Sequence, residues 1–141
     1  PTGTAADAPP QAGKKPTTPL TEPRQRLLRG NYDEARTGFE AAGKADPKFA
    51  PLAAVGVSQT YRAVGDYDAA QKALDAAVET HPDHPDLLAA RADLRYDLGR
   101  WDDADKDADA ALARNENQLL ARWTKARILR DRGDTDAADK E

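Results

Sequence analysis

One repeated phrase limits what this chain can fold into. Gly65 to Pro82 reads GDYDAAQKALDAAVETHP, and worn copies of it open at Gly30, Gly99 and Gly133. These glycines lie 35, 34 and 34 residues apart. In the first three copies an aromatic and an Asp follow the glycine: Tyr32-Asp33, Tyr67-Asp68 and Trp101-Asp102. A unit of that length makes two helices and a turn, and alone it leaves an apolar face wet. The period therefore predicts helix pairs that bury that face by stacking on their own neighbours.

The apolar spacing agrees. Ala35, Phe39 and Ala42 fall at i, i+4 and i+7, as do Ala70, Leu74 and Ala77, and then Ala104, Ala108 and Ala111. Small residues at these places let helices approach closely, while a larger one at the neighbouring turn fills the gap. Helices are predicted over 22–29, 32–44, 49–64, 67–80, 86–98, 101–114 and 118–132, with an eighth beginning near Asp134. Thr21 is the expected N-cap of the first, with Pro23 in its first turn. The third helix is expected to tolerate Gly56. His81-Pro82-Asp83-His84-Pro85 is expected to be a connector that neither flanking helix invades.

Residues 1–19 hold five prolines and no large apolar side chain. Such a segment buries too little surface to offset the entropy of ordering, so it reads as a flexible linker ahead of a repeat domain over 20–141. Pro/Thr/Ala-rich spacers accompany export signals and also join cytoplasmic domains, which leaves the compartment open. The chain contains no Met and stops inside an unfinished repeat, so it reads as a piece of something longer, with a cropped first helix and a truncated last repeat. Its formal net charge of -4 does not suit nucleic acid, which selects a basic face. The absence of Cys removes disulfides and thiolate chemistry together. No apolar run reaches the roughly 20 residues that span a bilayer, and no membrane anchor is visible.

The motif resembles that of the tetratricopeptide repeat family. Gly65, Tyr67, Asp68, Ala70, Leu74, Ala77 and Pro82 match its pattern in full, as do Gly30, Tyr32, Asp33, Ala35, Phe39, Ala42 and Pro47. The third unit has Ala108 in the large position and Arg95 in the aromatic site that Tyr61 fills in the second; the fourth has Thr135 for the aromatic after glycine. The resemblance implies an all-α, right-handed α-solenoid with a concave groove for proteins or peptides. By the family's groove positions the candidate binding residues are Gln59 and Arg62, then Asp93, Tyr96 and Asp97, then Trp123, Arg127 and Arg130, with Val55, Ala89 and Asp131 beside them. One subfamily holds chaperone C-terminal carboxylates through Lys, Asn and Arg at set positions. Here Gly56, Asp86 and Ala90 stand at such positions, which argues against that use.

Other chemistry is weak. Asp103, Asp105, Asp107 and Asp109 alternate, but a calcium loop needs glycine sixth and an acid twelfth, where this chain has Ala108 and Arg114. Alternate residues on a helix also diverge, so a solvated acidic face is expected. His81 and His84 in their Pro-rich turn lack the third and fourth ligands of a zinc site. No nucleophile motif or phosphate loop is present, and no metal, cofactor or catalytic role is expected. Tyr96 and Trp123 are the expected anchors. The basic stretch 117–132 is expected either to pair with the acidic stretch 99–111 inside the stack or to meet an acidic peptide. The leading reading is a non-catalytic scaffold. The alternatives are an accessory region of a larger enzyme, exported or not, and self-association through the open C-terminal end.

Overall fold

The computed structural model describes residue 13 and residues 17–133. Those residues form seven α-helices and one 3-10 turn, with no strand among them. The helices are α1 (Thr21–Leu28), α2 (Tyr32–Ala45), α3 (Ala50–Ala63), α4 (Tyr67–Thr80), α5 (Pro85–Asp97), α6 (Trp101–Arg114) and α7 (Leu119–Asp131). The eighth expected helix, and all of the expected linker except Gly13 and residues 17–19, lie outside the described residues.

The repeated glycine ends the first helix of each pair. Gly65 takes φ +78°, a left-handed conformation that a side chain makes costly. Its N–H donates to the Arg62 carbonyl at 3.0 Å, and the Asp66 N–H reaches back to the Tyr61 carbonyl at 2.9 Å, which closes the helix end. Asp66 then caps α4, its side chain accepting from the Ala69 N–H at 3.0 Å.

Three expected boundaries are corrected. Thr21 is already helical: Leu20 holds the cap position, and the Thr21 hydroxyl accepts from the Thr18 N–H at 3.0 Å instead of capping. Pro85 belongs to α5, at a first-turn position where its missing donor costs nothing. The third helix does not start at Phe49. Pro47–Phe49 is a separate 3-10 turn whose cap, Asp46, accepts from the Lys48 N–H at 3.1 Å, and α3 begins after it.

The helices form two layers. α1 packs on α2, α3 on α4 and α5 on α6, and each pair docks on the next through α2–α3, α4–α5 and α6–α7. α3, α5 and α7 also lie side by side as an inner layer, whereas α2, α4 and α6 on the outside do not meet one another. This is a tetratricopeptide-type α-solenoid. Most alanine positions behave as expected: Ala35, Ala42, Ala70, Ala104, Ala108 and Ala111 are buried, while Ala77 is only partly buried and Val78 beside it joins the core. Gly56 is more than tolerated. A Cβ there would stand 2.5–2.6 Å from the ring of buried Phe39, so the glycine makes the close approach of α2 and α3 possible.

Candidate functional site: the inner helical face

Five of the expected residues, Arg62, Asp93, Tyr96, Asp97 and Arg127, meet across the inner layer. Helical spacing places Gln59 with Arg62, Asp93 with Ala89 and Asp97, and Trp123 with Arg127 and Arg130. Cross-helix bonds show that these faces are shared. Arg62 of α3 donates from Nη1 to Asp93 Oδ2 at 2.7 Å, and from Nη2 to Asp97. Arg127 of α7 reaches the same two carboxylates of α5 from the other side, at 2.9 Å to Asp93 and 2.8 Å to Asp97. Each carboxylate thus bridges two guanidinium groups across three helices.

Tyr96 completes the rung. The Arg127 guanidinium lies 3.8 Å from its ring centroid, a cation–π contact, and its hydroxyl donates to Asp131. Trp101 stacks on it at 6.3 Å between centroids. Burial opposes the Arg127 charge, but contact with Tyr96 and the fields of Asp93 and Asp97 outweigh it and hold its pKa above the usual arginine range. Arg62, Asp93, Asp97, Arg127 and Tyr96 are therefore mutually satisfied. An incoming acidic ligand would have to displace carboxylates that already accept forked, charge-assisted bonds.

Three expected groove residues stand apart from that network. Trp123 is 57% exposed, Gln59 is exposed, and Arg130 is 58% exposed on its side chain with only a long 3.7 Å approach to Asp131. Leu120, one turn before Trp123, packs on the core from the same helix and was not among the expected groove residues. The face thus has a charge-saturated band toward the helix C-termini and exposed Trp123 nearer the N-terminus of α7, whereas Ala89 is fully buried and Val55 and Leu120 pack on the core.

The opposite charges of α6 and α7 pair within the stack, the first of the two expectations. Lys125 Nζ lies 3.0 Å from Asp105 and 2.6 Å from Asp109, and Arg132 reaches Asp102 at 2.6 Å and Asp105 at 3.2 Å. The expected solvated face of alternating aspartates needs correction. Asp107 is buried, its side chain 7% exposed, and accepts from Arg91 at 2.8 and 2.9 Å and from Arg95 at 2.8 Å. Arg95 occupies the aromatic site and Ala108 the large position, and those two departures were the signal in the sequence. His81 and His84 bound a turn, the His84 N–H donating to the His81 carbonyl at 3.3 Å. No helix among the described residues is long and apolar enough to cross a membrane.

Two tetratricopeptide repeat models match the chain, at residues 61–106 and 89–138. Together they cover more than half of it. No curated protein matches. Among solved structures, a tetratricopeptide repeat protein from Parabacteroides merdae superposes with a TM-score of 0.66 at 18% identity, covering 86% of this chain and 48% of that one. MamA gives 0.63 at 18%, covering 82% and 67%. PcrH, solved in complex with the chaperone binding region of PopB, gives 0.60 at 19%, covering 78% and 88%. The chain spans about half the length of the Parabacteroides protein. The likenesses carry the fold, the repeat models carry the membership, and the chain belongs to the tetratricopeptide repeat family.

Proposed function

We propose that this chain is a non-catalytic scaffold that holds a protein segment against the inner face of α3, α5 and α7. The observation that carries the reading is Trp123, a large aromatic more than half exposed and one helical turn from Arg127 of the inner face. Exposed aromatic anchors at the centre of a rigid surface concentrate binding energy. PcrH, similar in fold, was solved with a segment of another protein bound. The ion-paired band supports a division of labour. Arg62 and Arg127 fix the curvature and present Tyr96, while Trp123, Gln59 and Arg130 are free to meet a ligand. The preferred segment is an apolar one flanked by neutral polar residues, rather than an acidic one.

Selection from a random peptide library tests this. Peptides enriched on the wild-type chain should lose at least about tenfold in affinity on Trp123→Ala, a truncation cost near 1.4 kcal/mol or more. They should lose less on Arg127→Lys, which keeps the charge but gives up the fork onto Asp93 and Asp97. Enriched peptides that bind Trp123→Ala unchanged would remove the inner face from consideration.

A further inference from the structure

The outer surface carries the same socket twice, once filled and once open. Between α4 and α6, above α5, Arg91 fills the space. Its Nε and Nη2 donate to Asp107 at 2.8 and 2.9 Å, and its Nη1 donates to Asp75 at 3.2 Å. One repeat earlier, between α2 and α4 above α3, the corresponding space is an open apolar cleft of about 250 Å³. Its lining includes Phe39, Glu40, Gly43, Ala54, Val57 and Ala73.

Repeat register shows why it is open. Val57 stands where the next unit has Arg91, and Ala73 where it has Asp107. Gly43 replaces Val78, and Ala54 replaces Leu88. These four exchanges shorten a wall or remove the plug, whereas Phe39 on the floor is larger than its counterpart Leu74. The acid at the rim is kept: Glu40 corresponds to Asp75, which receives Arg91 in the filled socket. Glu40 is exposed and makes no ion pair among the described residues. The cleft is below the roughly 300–1,000 Å³ of small-molecule sites, so its size suits a single side chain.

We propose that this cleft receives an arginine side chain from a partner protein, with the methylene stem against Val57 and Ala73 and the guanidinium forked onto Glu40. A purely aliphatic side chain would use the walls and leave Glu40 idle; an acidic one would oppose it. Arginine satisfies both; next door Arg91 gives Asp75 a single bond and forks onto Asp107, whose place Ala73 takes here. Lys44, also on the rim, stands where the next unit has Glu79. It opposes a cation and keeps the affinity low, so reversing its charge should strengthen the site.

The test is methyl NMR of the full chain, titrated with acetyl-Gly-Gly-Arg-Gly-Gly-amide and with the same peptide carrying norleucine or Glu. Saturable shifts are expected at the Ala54, Val57 and Ala73 methyls for the arginine peptide, at an affinity on the order of 1 mM. Glu40→Gln should weaken it about two- to fivefold, the scale of one exposed ion pair, and Lys44→Glu should tighten it by a similar factor. Val57→Arg combined with Ala73→Asp moves the neighbour's plug into the cleft and should abolish the shifts. Ala73→Leu fills the same space without new charge and gives the same readout if the double variant unfolds. Trp123→Ala should change nothing, which separates this site from the inner face. Equal binding of the norleucine peptide, no saturable shift for arginine at tens of millimolar, or an undiminished response in a folded filled variant would each overturn the proposal.

Discussion

The first and third repeat units of the stack solve one packing problem with opposite chemistry. Where α2 meets α3, Phe39 fills the interior and Gly56 makes room for its ring. In the third unit the large position holds Ala108, and the neighbouring space goes to Arg91, Arg95 and Asp107. Phe39 gains from leaving water and from dense contact, and it needs no particular partner. The ion cluster gains only while all its members are present, because each charge has lost solvent. The repeat fixes the space to be filled and leaves open whether apolar area or paired charge fills it.

The largest effect should come from emptying the apolar unit. Phe39→Ala is expected to cost about 4 kcal/mol through lost transfer energy and a residual cavity, read from urea unfolding. In a nearest-neighbour stack, amide exchange should rise first in α1 to α3. A uniform rise across all seven helices would contradict that division. Next comes Asp107→Ala, which leaves two partly buried guanidinium groups without their shared carboxylate, at about 3 kcal/mol. The triple change Arg91→Val, Arg95→Tyr and Asp107→Ala copies the second unit and should recover that loss or exceed it. If the triple variant is as weak as the single one, the two units are not interchangeable.

Gly56→Ala should cost about 2 kcal/mol, because the enclosed Phe39 ring cannot retreat, and overpacking outweighs the gain in helix propensity. Combining it with Phe39→Leu should return most of the loss. Gly65→Ala tests the turn alone: its left-handed backbone should make it cost about 1 kcal/mol with core packing intact. The smallest effect is expected for the inner-face rung. Raising salt to 1 M should lower stability by less than about 1 kcal/mol, because these partly exposed pairs are screened and individually weak.

The helices and turns were legible because their determinants are local. A glycine every 34 or 35 residues fixes the chain reversals, and alanines at i, i+4 and i+7 fix the buried face. Trp123 was legible as an exposed side chain because helical register alone turns it away from the buried face of its helix. The roles of the charges were not. Arg62 and Arg127 read as ligand-binding arginines, yet they hold Asp93 and Asp97 from residues 30 to 35 positions away. Asp107 read as one of four solvated acids, yet it pairs with Arg91 16 positions off and Arg95 12 positions off.

Periodicity in the chain settled that helix pairs must stack and where each begins to turn, since steric and hydrophobic preferences act within one or two helical turns. Which charges meet, and which cleft stays open, was settled only when neighbouring repeats came together. A carboxylate's partner depends on distance and lost solvent, and neither exists until the layers close.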